Sequence, residues 1–516
     1  MQYKYHLLSW RIPAVLLAAL IVIPFAVLLF SLHVENYGAI PALWFEDFAF
    51  NSYVLIAGTS VVALLFGVPS AWLVATKQFK GRKLFQAMLV LPLAIPAYIQ
   101  AYTYKGLLDP FGTTAKFFDF YLEVDNIWYL MLFMGSVLYP YVYITARTAF
   151  MNHSQSLQEA AASLGASKTR TFFKVILPLA RPAIFGGLIL VIMEVLNNYG
   201  AVSYYGIKTF TTEVIRLWNP MDLQPVLKVA AAVLILVFGL IYLEQFFRKK
   251  ARYSDEGGKK LSNFRTPLAG WDGVLAIFAI GLPLLIGFII PIVQLIYWAS
   301  LVYQDVLTNE FWILLLNTFK MALISSVACV GVAVILHFAY RWNKSRFIQF
   351  FARLSTLGYA IPGAVIGVGV LLPIAMINHR FDILLTGSLA TLVFAYLVRF
   401  QAVSYNAVGA GFDKQSPHLS EAARSLGTNS WDGFRKIIFP LIKPAVLSAL
   451  VLVFVDVTKE LPLTMLFQTF NFETLSVRAF VLMETDGAVY DSSVPSLIIV
   501  LIGLVPAILL NQLSKR

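Results

Sequence analysis

The sequence predicts an all-α polytopic membrane protein of about twelve transmembrane helices in two parallel-repeat halves. Three observations predict it: an apolar composition, a long series of apolar stretches and an internal duplication. Of the 516 residues, 59% are hydrophobic and only 13% are charged, a balance that soluble domains do not reach. A hydrocarbon core about 30 Å thick needs roughly 20 apolar residues per helix. Such stretches fall at 11–32, 53–75, 85–107, 128–149, 182–203 and 226–247, then at 273–299, 315–339, 349–376, 382–404, 444–466 and 494–513. The first follows Lys4 and Arg11 as a signal sequence would. Ser31 to Tyr37 offers no small-residue cleavage pattern, so the stretch reads as a retained anchor.

Charge sets the orientation. The net charge is +12, yet the basic residues form no stripe with interleaved aromatics, so the excess does not read as a nucleic-acid surface. They alternate by loop instead. Lys77, Lys80, Arg82 and Lys83 share one short loop, whereas Glu35, Glu46 and Asp47, then Asp305 and Glu310, mark loops on the opposite side. This is the positive-inside pattern, and it places both termini in the cytoplasm. The single cysteine, Cys329, lies within an apolar stretch, so no disulfide framework or cysteine metal cluster is expected.

The duplication defines the halves. Glu159 to Ala183 aligns without a gap to Glu421 to Ala445 at an offset of 262, with thirteen of twenty-five pairs identical. Upstream the offset becomes 266, pairing Asn51 with Asn317 and Ile95-Pro96 with Ile361-Pro362. Each half holds an even number of stretches, so the two run parallel about an axis along the membrane normal. The sequence thus divides into a first repeat (1–247), a basic cytoplasmic linker (248–270) and a second repeat (271–516). The linker carries Arg248, Lys249, Lys250, Arg252, Lys259, Lys260 and Arg265, and reads as a solvated strap drawn to anionic lipid headgroups.

Each repeat has one long amphipathic cytoplasmic loop, at 152–181 and 414–443. In the first, a short helix through Gln158–Leu164 is stopped by Gly165, a residue suited to the left-handed position past a helix end. Ser167 caps a second helix that Pro178 ends. The small Ala160 and Ala161 would let the first helix lie deep in another protein's groove, and Glu159 offers one directional charge. The second loop repeats the design with Glu421, Ala422, Ala423 and Gly427.

Glu-Ala-Ala, three residues, Gly, then about ten residues to Ile-x-Pro, present twice, resembles the cytoplasmic coupling loop of binding-protein-dependent ABC importer permeases. The resemblance implies the type I importer, MetI-like fold. It also implies two copies of a separate ATP-binding subunit docked on the loops and a periplasmic substrate-binding protein. The chain contains no Gly-x-x-x-x-Gly-Lys-Ser/Thr phosphate loop, His-Glu-x-x-His or nucleophile-elbow serine. No intrinsic enzyme activity and no bound cofactor are expected; ATP and Mg would serve the partner.

Acids inside a bilayer cost about 2.5–3.5 kcal/mol on insertion and so are functional candidates. Glu194 and Asp456 are equivalent under the offset of 262, and the internal symmetry would set them at matching depths along a translocation path. Beyond them stand Asn197, Asn198 and Tyr199 in one repeat, and Lys459 and Glu460 in the other. A structural reading competes, in which Asp456 and Lys459, three apart, neutralise one another. The segments 193–200 with 209–212, and 456–462 with 470–475, resemble the fused permeases of iron(III) importers, which implies ferric iron as cargo and an iron-binding periplasmic partner. Related fused permeases carry thiamine or phosphonate. No metal ligand set is established by the sequence. A proton-coupled secondary transporter working through Glu194 and Asp456, or a membrane scaffold recruiting partners through the paired loops, are rivals from other classes.

Overall fold

The computed structural model describes residues 2–31, 40–163, 165–219, 223–252, 265–268, 270–343, 345–416, 418–419, 425, 428–469, 472–485 and 488–513. Among these, nine helices are long and apolar enough to cross a membrane: Ile12–Phe30, Asp47–Thr76, Ile127–Met151, Thr169–Asn197, Gln224–Leu243, Trp271–Val306, Asn309–Arg341, Gly363–Phe381 and Trp431–Lys459. The expected stretch 85–107 is instead a bent pair, Arg82–Ala94 and Ala97–Phe118, turned by 91°. The bend has a local cause. Ile95 precedes Pro96, whose ring pushes its neighbour out of the helical region, and Ile95 is extended at φ −90° and ψ 117°. Ile361 before Pro362 does the same at φ −90° and ψ 132°, splitting the expected stretch 349–376 into the helices Arg346–Leu354 and Gly363–Phe381. The stretch 382–404 is the helix Leu389–Asp413. It buries Arg399, Gln401 and Ser404, so its interior face is polar and its mean hydropathy lower than that of the nine. The twelfth, Ser493–Leu513, is apolar but shorter over Ser493–Pro506.

The chain folds into two compact units. One comprises Pro41–Glu213, Ala232–Tyr303 and Ala479–Arg516, and the other Met1–Ile40, Val214–Ala231 and Gln304–Arg478. These are a different division of the chain from its sequence repeats. In the first unit, the helices Asp47–Thr76, Ile127–Ser163 and Leu177–Asn197 pack mutually. Small residues permit close approach, as in other membrane bundles: a Cβ on Gly135 would stand 2.5 Å from the Val62 Cβ, and one on Gly187 2.7 Å from the Tyr141 carbonyl oxygen. In the second unit, the helices Asn309–Asn343, Leu389–Asp413 and Phe439–Lys459 form the same trio.

Each unit takes in helices from the other sequence repeat. The helix Gln2–Ser31 packs on Asn309–Asn343, Arg346–Leu354 and Gly363–Phe381, with the Pro24 carbonyl oxygen 2.9 Å from where a Gly369 Cβ would be. In turn, Trp271–Leu284 packs on Asp47–Thr76, and Ser493–Leu513 on the turn Leu91–Ala94. At Gly287 a Cβ would sit 2.1 Å from the Ser136 carbonyl oxygen, so only glycine allows that crossing.

Candidate functional site

The first of the two long loops does not begin with a separate short helix. Residues 151–163 contain neither Gly nor Pro, and the helix Ile127–Ser163 runs straight through them, carrying Glu159 and Ala160 in its backbone. Gly165 takes φ +76°, and the Ala166 amide donates to the Ala161 carbonyl at 2.9 Å, a Schellman-type stop. Ala161 is only 9% exposed. Glu421, Ala422, Ala423 and Gly427 lie outside the described residues.

Ser167 caps the next helix as expected, its Oγ accepting from the Arg170 amide at 3.3 Å. Asn429, 262 residues on, repeats this, its Oδ1 accepting from the Asp432 amide at 2.7 Å. Pro178 does not end that helix. A π-helical turn at Phe172–Ile176 precedes the helix Leu177–Asn197, and the extra residue in the turn lets the chain pass a proline that has no N–H to give. Phe434–Ile438 and Pro440 repeat the arrangement.

At the other end of these helices the repeats meet the candidate path residues. The helix Leu177–Asn197 breaks at Asn198, whose Oδ1 accepts from the Ala201 amide at 3.0 Å and starts the short helix Gly200–Tyr204. The helix Phe439–Lys459 breaks at Glu460, whose Oε1 accepts from the Leu463 amide at 3.1 Å and starts Pro462–Leu466. The expected stretches 182–203 and 444–466 are thus each interrupted by a capping side chain. Both Asn198 and Glu460 act on the backbone three residues ahead.

Glu460 does more than cap. Its Oε2 lies 3.0 Å from the Arg399 Nε, and both side chains are almost fully buried. The Arg399 Nη1 donates to the Ile361 carbonyl at 3.2 Å, so one guanidinium ties the break at Pro362 to the break at Glu460. Tyr396 Oη meets Thr464 Oγ1 at 2.6 Å, and Thr464 and Ser476 hydroxyls both donate to the Glu460 carbonyl, at 2.9 and 2.7 Å. A Cβ on Gly363 would stand 2.7 Å from Glu460 Oε1 and 3.0 Å from Arg399 Nη1. Under the offset of 262, Val137 occupies the Arg399 position and Asn198 the Glu460 position. One repeat therefore has a buried ion pair where the other has none.

Glu194 and Asp456 each stand four residues before their break and are half-buried. Tyr141 Oη donates to Glu194 Oε1 at 3.3 Å. Asn197 and Lys459 close their helices, and the Tyr199 ring packs on Phe480 with centroids 5.7 Å apart.

Sequence reasoning passed over Arg399, although a lone arginine in the stretch 382–404 was signal enough under the rule that singled out the acids. It also missed two hydroxyls. Ser52 Oγ accepts from the Phe210 amide at 3.0 Å, and Thr318 Oγ1 from the Leu475 amide at 2.9 Å. They are neighbours of the matched Asn51 and Asn317. Beside Thr318, a cavity of about 490 Å³ is lined by Glu310, Asn317, Gln468, Thr469 and Glu473 among others. Burial raises the Glu473 carboxyl above its ordinary value, against the opposing pull of Arg478. No cluster of three or more His, Cys, Asp or Glu suited to a metal occurs among the described residues.

Over 482 residues the chain is 27% identical to the Fe(3+)-transport system permease protein FbpB 2 of Haemophilus influenzae, covering 90% of each chain. It is 22% identical over 441 residues to the putative ferric transport system permease protein FbpB 1 of the same organism, covering 78% of this chain and 67% of that one. It is also 30% identical over 205 residues to the molybdate/tungstate transport system permease protein WtpB of Pyrococcus abyssi, covering 39% of this chain and 78% of that one. These relatives are transport permeases, not enzymes. The model of the binding-protein-dependent transport system inner membrane component matches twice, at residues 63–253 and 329–516. With that match in both repeats and membrane-spanning helices throughout, the chain belongs to the family of binding-protein-dependent transport system inner membrane components.

Proposed function

We propose that this permease imports ferric iron handed over by a periplasmic iron-binding protein. The observation that carries the cargo assignment is coverage: the likeness to an Fe(3+) permease runs over 90% of both chains, through both repeats and both helix breaks, whereas the molybdate/tungstate likeness spans 39% of this chain. Glu194 and Asp456, one from each repeat, would meet the cargo, with Asn197, Tyr199 and Lys459 beside them. Hard carboxylate and phenolate oxygens suit such a cation. Asn198 and Glu460 hold the breaks that shape those segments.

In this reading two copies of an ATP-binding subunit, using ATP and Mg, engage the loops at Glu159 and Glu421 on the cytoplasmic side, where both termini lie. Nucleotide binding biases two packed states of the permease, and the cargo crosses by alternating access. Uptake of radioactive ferric iron, molybdate, thiamine and phosphonate by a strain lacking this chain, with and without complementation, tests it. Restoration of iron uptake alone is expected; restoration of another solute and not iron would replace the cargo. Purified chain reconstituted alone in liposomes addresses the proton-coupled alternative. No gradient-driven uptake is expected without the ATPase.

A further inference from the structure

Three arginines converge beside the turn that follows the helix Asp47–Thr76. Lys77–Gln78 pairs in parallel with Thr266–Pro267, Lys77 opposite Thr266, and the Lys77 Nζ donates to Thr266 Oγ1 at 2.9 Å. That register sets Arg265 against the turn. Arg82, only 6% exposed, folds back so that its Nη1 donates to the Val74 carbonyl and to Gln86 Oε1, both at 3.1 Å. Tyr143 Oη donates to the Gln86 carbonyl at 3.3 Å, and Arg147 stands one turn further along the same helix. Among the described residues, no carboxylate lies within ion-pair distance of any of the three. The Nε of each, in Arg82, Arg147 and Arg265, is buried and makes no hydrogen bond among the described residues. Burial and the charge of Arg147 hold the Arg265 guanidinium below its ordinary value.

Like charges drawn together and partly out of water, each with one donor unanswered, are costly unless an anion completes them. The anion must offer several oxygens to planar forks, which is the chemistry of a phosphate group. The surroundings say which phosphate. The helix Trp271–Leu284 packs on the helix Arg82–Met88, and Trp271, Leu275 and Leu84 are 81%, 62% and 62% exposed. A tryptophan and leucines open to the surroundings beside basic groups are the lining of a membrane interface.

We propose that Arg82, Arg147 and Arg265 hold the phosphate of an anionic phospholipid. The proposal depends neither on the cargo nor on the ATPase.

Native mass spectrometry of the full-length protein in neutral detergent tests it, with phosphatidylglycerol, phosphatidylcholine and inorganic phosphate added separately. The double variant Arg147→Gln/Arg265→Gln should retain about thirtyfold less phosphatidylglycerol than the wild type, and Arg265→Gln alone about fivefold less, at a surface contribution of about 1 kcal/mol per arginine. Phosphatidylcholine retention should not change, and Arg380→Gln should behave as wild type. Arg265 lies outside any helix, so its single variant reads the same effect if the double variant fails to accumulate. Equal retention of phosphatidylglycerol by wild type and Arg265→Gln, or an equal loss in Arg380→Gln, would overturn the site. Arginine-dependent binding of inorganic phosphate as tight as that of the lipid would overturn the lipid assignment in favour of a soluble anion.

Discussion

Glu460 holds its helix break with both of its carboxylate oxygens. It answers a backbone amide ahead of it and a buried guanidinium beside it. Removing one member of such a pair leaves the other charge buried and uncompensated, at a cost of about 3–5 kcal/mol. Arg399→Met is therefore expected to lower the thermal unfolding midpoint in detergent much more than Arg380→Met, a change at an exposed position. Gly363→Ala should act in the same direction by pushing between the two partners. Ser52→Ala and Thr318→Val each remove one buried acceptor from a helix start, a loss of about 1 kcal/mol, and the two losses should be similar because their geometry is. Local cues were legible here: Gly165 and Ser167 could be read as stop and cap because each acts on backbone within a few residues. Arg399 with Glu460, and Ser52 with Phe210, join residues far apart in sequence, and only packing brings them together.

Among the elements, apolar length foretold where helices lie but not where they break. Pro96 and Pro362 interrupt at the residue before them, whereas Pro178 and Pro440 are carried through by a preceding π turn. All four sit in apolar surroundings, and composition does not distinguish the two outcomes. What decides is whether the backbone upstream can add a residue to the turn. Asn198 ends its helix with no proline near it, by capping the next one, whereas Glu460 caps a helix that opens with Pro462, which has no N–H to continue the helix before it. Crossings are set by backbone contact. Gly358 would place a Cβ 1.9 Å from the Val398 carbonyl oxygen, and Gly287 one 2.1 Å from that of Ser136. Neither backbone atom can yield as a flexible side chain would. Gly358→Ala and Gly287→Ala are expected to reduce folded yield sharply by size-exclusion profile, while Gly239→Ala, where a Cβ meets nothing within 4 Å, should leave it unchanged.

At the level of the whole molecule, the twofold family match and the duplicated loop agree on a chain that is two permeases in one. The loop motif was legible because it recurs at a fixed offset. The cargo was not, because no compact ligand set announces it. Glu159→Ala with Glu421→Ala should leave the protein inserted and reduce co-purification of the ATP-binding subunit, with uptake falling about tenfold or more. Normal co-purification and normal uptake would remove the loops from the coupling role. Glu194→Gln and Asp456→Asn should each cut ferric iron uptake while sparing assembly. Wild-type flux in both would leave these acids as packing residues.

Because the helix Gln2–Ser31 packs on helices that lie between Asn309 and Asp413, it must wait while the intervening chain is made. At ordinary rates of synthesis that delay is on the order of tens of seconds. During this interval its apolar flank faces lipid or an insertion chaperone, and premature pairing with the wrong neighbours is the hazard. Folding of this protein is therefore tied to the completion of translation, and a ribosome stalled before residue 309 would release an anchor with nothing to close against.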